Sequence, residues 1–589
     1  MALYHPLPLM STPFAFTRLP PRSCKVVRTS SSNVVVPGRV RCSGAAKLSD
    51  EAIVRRSANY TPTIWGHDFV QSLKSHVGKS SEERAEKLKE EVRLLLDSAV
   101  DSVQQLELID VLQRLGLSYQ FEDEIKGILD RVYNNKQKQD GLYAVALEFR
   151  LLRQHHYVVS ADVFNNFSDE KGNFNSCGSD DCKGILSLYE AAFLLNEEES
   201  KMFHSVRNFA TSYLKEYIKD EKSEDEYVSK LVKHALELPL HWRVPRMEAR
   251  WFIDVYETRH DFNPILLELA KLHFNTLQAT HQQDLKHVSS WWRNTGLREK
   301  LSFARDRLLA NFFWTLGLTS EARFGHFRRM ITKVNALITT IDDVYDVYGT
   351  MDELELFTDA IERWDVNAMK QLPEYMKICY LVLLNFVNDM ALHALKVHGV
   401  DIIPCLKKAW ADLCKSYLLE AKWYHSGHIP TLAEYMNNAW ISISGPVILV
   451  HAYFLVTDPI TEEAAECLEE YSNIFRWSST ILRLADDLGT SSDELERGDV
   501  AKSVQCYMHE TGACEEDGRK HIGEMVAATW MKMNRDRLEN PQLSRTLIEI
   551  AMNLGRMSQC MYQHGDGHGI EVGQTRDNVL SVLVNPIQV

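Results

Sequence analysis

The sequence predicts an all-α protein arranged as two helical domains. Three observations carry that expectation. From Asp50 onward apolar residues recur at three- and four-residue intervals, as in ERAEKLKEEVRLLLDSAV and LLELAKLHFNTLQATHQQDL, the period of amphipathic helices. Alternating strand-like runs are scarce over the same stretch. The turn-rich HDFNP segment at 260–264 then interrupts the pattern, since Pro264 cannot continue a helix and a long helical stretch starts directly after it.

The first segment of the chain differs from the rest. Between Met1 and Ser49 there is no Asp or Glu, against seven Lys or Arg, and Ser and Thr are dense around TSSS at Thr29. An apolar core suited to a secretory signal is missing there. This is the composition of an organelle transit peptide, with CSGAA after Arg41 as a processing region. A disordered basic tail is the competing reading. The expected division is a plastid transit peptide over 1–49, an N-terminal helical domain over 50–260, and a C-terminal domain over 261–589 that carries the chemistry.

Composition narrows the function classes. With 45% apolar and 25% charged residues the chain reads as globular, and it lacks an uninterrupted apolar run of about eighteen residues that would span a membrane. Its net charge of −15 argues against a nucleic-acid partner. An acidic protein with an anionic substrate must recruit cations locally. The eleven cysteines lack regular spacing, and Cys177 and Cys182 read as reduced thiols in a polar loop because no second ligand pair follows. A Gly-rich phosphate loop is absent, so any phosphate must be held by metals and basic side chains.

Two acidic segments fit that requirement. In IDDVYD, Asp342 and Asp346 share a helix face with Asp343 offset by one residue, at the end of the apolar MITKVNALITT helix. Clustered carboxylates repel one another unless cations neutralise them, so hard divalent ions are the expected partners; a solvated acidic helix end is the alternative. In ADDLGTSSDELERGD, Asp486, Thr490 and Glu494 repeat every four residues, a spacing that drifts only ~40° per step on an α-helix. Two carboxylates and a hydroxyl on one face suit Mg²⁺. Gly489 costs roughly 1 kcal/mol of helix stability relative to Ala, which marks either a close approach or a kink. Arg305 and Arg307 in FARDRLL, Arg483 before the second segment and Lys502 after it supply positive charge. An arginine fork suits a diphosphate, and ion pairing with Asp306 or a neighbouring helix serves it equally well.

These two walls, with Arg-x-Arg upstream of the first and RGD after the second, resemble plant class I terpene synthases. RRSANYTPTIW, with Arg55 and Arg56 separated from Trp65 by eight residues, is similar to the tandem-arginine motif of plastid monoterpene synthases. LELIDVLQRLGLSYQFEDEI, HALELPLHWRVPRMEARWFI, DVYGTMDELELFTDAIERWD and SISGPVILVHAYF resemble the same angiosperm branch, so that the likeness covers essentially the whole chain after the transit segment. The resemblance implies an N-terminal α-barrel-like domain without a site of its own and a C-terminal class I terpenoid synthase helical bundle. It implies Asp342, Asp343, Asp346, Asp486, Thr490 and Glu494 as the metal residues for three Mg²⁺, with Mn²⁺ as a substitute. Arg305, Arg307, Arg483 and Lys502 would then hold the diphosphate of geranyl diphosphate. Trp314 is implied as an aromatic face for the carbocation, or is an ordinary core residue. Asn335 is implied to steer products, or is a satisfied buried amide. Tyr562 and His568 fall in the lid region as candidate proton acceptors, and Arg55 and Arg56 in a segment that closes the site.

Rival readings are separated by single features. A chain-elongating prenyltransferase would carry a second DDxxD where ADDLGTSSDE stands, and a class II cyclase a DxDD motif, which is absent. An isoprene synthase is disfavoured because the resemblance implies Phe where Asn335 stands. A sesquiterpene synthase and a silent helical scaffold remain the further alternatives. The expected enzyme is a monoterpene synthase of the plastid stroma, monomeric or weakly dimeric. Asn335 and the tandem arginines favour a cyclic olefin or alcohol such as limonene, pinene or α-terpineol over the acyclic myrcene, ocimene or linalool.

Overall fold

The computed structural model describes residues 55–589 except 75–77, 100, 136–138, 169–173, 175–180, 220–224, 461–467, 469, 498–499 and 541–542; the side chains of 492–497 also lie outside the described residues. Residues 1–49, expected to be a transit peptide, and Cys177 fall outside them too. Every regular element among the described residues is helical.

Local chemistry explains where the helices start. The longest, Pro264–Thr295, has Pro264 in its first turn, where the missing N–H costs nothing, and Asn263 as its cap. The Asn263 side chain accepts from the Ile265 and Leu266 amides at 2.9 and 3.4 Å, and the helix ends at Gly296 in the left-handed region at φ 67°. The break at 260–264 is thus a boundary between helices. The hydrophobic core, however, runs across it: Leu88, Leu106, Leu266, Leu337 and Ile550 belong to one buried cluster. A second cluster around Phe149, Leu188 and Phe203 is completed by Ala527 and Met531 from the C-terminal half. Asn534 ties the halves further, donating to the carbonyls of Phe193 (2.8 Å) and Leu195 (2.9 Å) while its Oδ1 meets His241 Nε2 at 2.8 Å.

Seven helices of the C-terminal half position the site: α1 (Leu308–Leu318), α2 (Gly325–Asp343), α3 (Ile403–Ser426), α4 (Leu432–Ser442), α5 (Gly445–Val456), α6 (Asn473–Arg497) and α7 (Arg545–Tyr562). By length and composition Glu374–His398 and Leu432–Val456 are apolar enough to cross a membrane, yet about half and 72% of each window is buried inside this fold. Their apolarity serves the core. α1 is buried along its whole length, and α2 on all but its outer stripe.

α2 is held to the long Pro264–Thr295 helix by a buried ion cluster. Asp284, 4% exposed, accepts from Arg328 Nε at 3.0 Å and Arg329 Nη1 at 2.5 Å, and Arg328 is fully buried. Removing one partner of such a cluster strands charge in the core. Asp284→Ala should therefore lower unfolding free energy by roughly 3–5 kcal/mol, read as a shifted denaturant midpoint, whereas a surface pair such as Lys377–Glu374 should give under about 1 kcal/mol.

Candidate active site

The cavity that joins the two acidic segments is built by residues at helical spacing. α2 offers Asn335, Ile338, Thr339 and Asp342 on one face, and α6 offers Leu482, Arg483, Asp486 and Thr490. Trp314 of α1, Ile448 of α5, Lys502, Tyr562 and His568 complete much of the lining. Three larger clefts, of about 520, 750 and 790 Å³, contain none of these residues. Volume does not locate the chemistry here; the acids do.

The two walls are built alike. Where α2 ends, the chain continues into a π-helical turn over Val344–Tyr348, so Asp346 sits on a widened turn rather than on the α-helix that carries Asp342. Asp342 and Asp346 line the cavity, whereas Asp343 does not and is fully buried. Its carboxylate accepts the Arg305 backbone N–H at 2.6 Å and lies 2.9 Å from Arg305 Nε, while Arg305 Nη2 reaches Asp342 at 2.5 Å. Burial raises the Asp343 pKa even though Arg305 opposes the shift. Arg305 is held firmly charged: burial works against it, and Asp343, Tyr60 and Asp342 outweigh that. In the second wall Arg483 pairs with Asp486 and lies 2.8 Å from Asp487. Asp487, fully buried, also accepts from Tyr435 Oη at 3.0 Å and from the Ser503 amide at 3.1 Å. In each wall, then, an aspartate that faces the cavity (Asp342, Asp486) is followed by a buried neighbour (Asp343, Asp487) that anchors an arginine.

The remaining expected residues divide into those at the cavity and those beside it. Thr490 lines it and donates to the Asp486 carbonyl at 2.9 Å. Glu494 lies on α6, with its side chain outside the described residues. Trp314 and Tyr562 meet with ring centroids 6.0 Å apart. Asn335 donates to Thr315 Oγ1 at 3.3 Å, and its buried Oδ1 has no partner. His568 Nε2 is 3.4 Å from Thr339 Oγ1, its Nδ1 has no partner, and burial together with Arg305 lowers its pKa to about 4. Its imidazole is neutral at neutral pH.

Arg55, Arg56 and Arg307 do not line the cavity. Arg55 makes a two-pronged pair with Glu353 (2.8 Å each), donates to the Tyr348 carbonyl, and lies over the Tyr348 ring at 4.4 Å. Burial alone would raise the Glu353 pKa; Arg55, the Thr350 amide and Tyr375 bring it down to about 2. Arg56 donates to the Asp346 carbonyl at 3.1 Å and covers Tyr424. The tandem arginines thus staple the N-terminal strap, residues 55–66, onto the turn that carries Asp346. Arg307, expected among the diphosphate contacts, donates instead to backbone carbonyls away from the cavity.

Several lining residues carried no readable signal in the sequence. Glu420 of α3 is a buried carboxylate that accepts from Asn438 (3.1 Å) and Ser442 (2.5 Å). Tyr60 arrives from the strap and Asp566 from the C-terminal segment. Ile443 and Ser444 line the cavity where α4 breaks before α5, with Ser444 in the left-handed region at φ 69°. The SISGP run signals the break only through its Gly-Pro pair.

Comparison with known proteins is decisive at this point. The family model described as "Terpene synthase family, metal binding domain" matches residues 293–532, and "Terpene synthase, N-terminal domain" matches 64–236. The chain belongs to the terpene synthase family. This terpene synthase is 59% identical over 577 residues to (−)-alpha-terpineol synthase of Vitis vinifera, covering 97% of this chain and 96% of that one. It is 58% identical to the chloroplastic myrcene synthase of Quercus ilex, over 98% and 97% of the two chains. A crystal structure of limonene synthase with 2-fluorolinalyl diphosphate superposes with a TM-score of 0.88 at 45% identity, over 91% of this chain and all of that one. Isoprene synthase of Populus x canescens, crystallised with three Mg²⁺ ions and dimethylallyl-S-thiolodiphosphate, gives 0.82 at 44%, over 89% and 99%. The fold is that of the class I terpene synthases, and the enzyme is a metal-dependent lyase of the plant monoterpene synthase branch.

Gly489 acquires a reason from this geometry. A Cβ there would lie 2.8 Å from the Tyr562 carbonyl oxygen and 2.9 Å from Tyr562 Cβ. The glycine permits α6 and the C-terminal segment to touch. Gly489→Ala should push Tyr562 out of the cavity and reduce turnover by about tenfold or more while circular dichroism stays unchanged, a barrier change of ~1.4 kcal/mol or more.

Proposed function

We propose that this terpene synthase ionises geranyl diphosphate and converts the C10 cation to a monoterpene, releasing diphosphate. The observation that carries this reading is that two acidic segments far apart in sequence line one cavity, each with an arginine on its aspartate pair and an apolar wall beneath. Asp342, Asp346, Asp486 and Thr490 present oxygen donors, the ligand chemistry of Mg²⁺, and Glu494 follows Thr490 by one helical turn. Three Mg²⁺, or Mn²⁺ in their place, supply Lewis acidity and neutralise the leaving diphosphate when bound there.

The chain's own groups perform the remaining tasks. As the allylic C–O bond breaks, Arg305, Arg483 and Lys502 are the cationic donors within reach of the charge that gathers on diphosphate. Ile338, Ile448 and Leu482 keep the hydrocarbon end dry, and Trp314 offers an aromatic face to the cation. His568, neutral and with Nδ1 open, is the favoured acceptor of the terminating proton, with Tyr562 beside it. The unpartnered Oδ1 of Asn335 is a fixed polar point in this wall that supports a cyclic olefin or alcohol such as limonene, pinene or α-terpineol. Acyclic products are the second reading, favoured by the likeness to a myrcene synthase. The domain division at 260/261, a monomeric or weakly dimeric state and the stroma as the compartment are part of the same proposal. Relatives named chloroplastic support the plastid.

Protein beginning near Arg55, given geranyl, farnesyl or dimethylallyl diphosphate with Mg²⁺, should release C10 volatiles from the first; turnover of farnesyl diphosphate alone would overturn the C10 assignment. Asp342→Ala should abolish turnover with helicity intact, and unchanged turnover would remove that carboxylate from the mechanism. Asn335→Val should change the ratio of alcohol to olefin by several-fold, as expected for barrier differences of about 1–3 kcal/mol. An identical product profile would sink the steering role.

A further inference from the structure

We infer that Arg307 is a positioning residue that fastens both closing segments of the cavity to the bundle, rather than a diphosphate ligand. It stands just before α1 with 1% of its surface exposed. Its guanidinium donates only to backbone carbonyls among the hydrogen bonds seen here, and those carbonyls come from three parts of the chain. Nη1 reaches Asp306 O at 3.1 Å, Nη2 reaches Thr61 O at 3.0 Å, and Nε and Nη2 reach Gly569 O at 3.2 and 2.9 Å. Thr61 belongs to the N-terminal strap and Gly569 to the C-terminal segment, so one side chain holds both.

The register of these contacts matters. Tyr60 precedes Thr61 and His568 precedes Gly569, and both Tyr60 and His568 line the cavity. Tyr60 lies 5.0 Å from the Arg305 guanidinium, and His568 meets Thr339. Arg307 therefore fixes the carbonyl directly after each of two residues that reach the cavity from opposite ends of the sequence. Glu571, 6% exposed, adds a second tie by accepting the Ile64 amide at 3.1 Å. The rigid planar fork presents donors to both carbonyls in a fixed geometry, whereas an ammonium on a flexible stem holds two acceptors less firmly. With Arg307 in place the strap and the C-terminal segment stay shut together, and water is kept from the cation. Without it both segments loosen as a unit.

This rests on the proposed reaction, and the test separates the two. Hydrogen–deuterium exchange of wild type, Arg307→Gln and Arg307→Lys reads residues 57–66 and 562–573. The expected result is exchange several-fold faster in both segments of Arg307→Gln, with a smaller increase in Arg307→Lys. Inhibition by inorganic diphosphate with Mg²⁺ should stay within about twofold of wild type, since no diphosphate contact is removed. With geranyl diphosphate the variants should release a larger share of water-quenched acyclic alcohols. Unchanged exchange in both segments, or diphosphate inhibition weakened tenfold or more, would overturn the inference. If Arg307→Gln does not fold, the lysine variant decides by the same two readings. Absence of wild-type turnover of geranyl diphosphate would count against the substrate reading alone, because the exchange measurement needs no substrate.

Discussion

Carboxylates gathered around one poorly solvated cavity repel each other, and everything near this site answers that constraint. The two walls answer it in the same way. Asp343 and Asp487 are both fully buried, and each lies within 3 Å of the Nε of an arginine, Arg305 or Arg483. The same arginines extend to Asp342 and Asp486, which face the cavity. Each wall is thus an acid pair bridged by a guanidinium. The arrangement places a cationic donor beside each acid pair, where charge develops on a leaving diphosphate.

The second demand is dryness, and it explains features that look unrelated. The strap is pinned at Arg55 to Glu353, at Arg56 to the Asp346 carbonyl, at Thr61 to Arg307 and at Ile64 to Glu571. The C-terminal segment is pinned at Gly569 to the same Arg307, and it approaches α6 over Gly489. The strap and the C-terminal segment therefore meet over the catalytic bundle. Asn311, Asn335 and Thr339 of the cavity wall form a short polar strip with the fully buried Thr315, linked to one another through α1 and α2. Nearly all of that strip is satisfied internally, which leaves Asn335 Oδ1 as the open acceptor.

Much was legible in the sequence because helical periodicity and ligand spacing are local properties. The 3.6-residue period established the all-α class, Pro264 marked the start of the longest helix, and the steps from Asp486 to Thr490 to Glu494 announced one face of α6. The IDDVYD acids were found, with Asp343 already set off the face that Asp342 and Asp346 share; its anchoring of Arg305 was not legible, nor was the π-helical turn that widens the spacing after it, which has no spacing signature. Glu420 was invisible for a different reason: a single glutamate in a helix reads as a solvated residue, and only the packing of α3 against α4 buries it beside Ser442 and Asn438.

By itself the sequence determined what is encoded within a few turns of chain: the helices, their caps, the two acidic walls and the basic residues near them. Only the tertiary structure decided how they are used. It turned Asp343 and Asp487 inward to hold arginines, and brought Tyr60 and His568 from opposite ends to one cavity. It also assigned Arg307, two residues from Arg305, to backbone carbonyls rather than to the site. The physical reason is direction. Spacing specifies which residues share a helix face, while the partner that a side chain meets depends on which distant segment packs there.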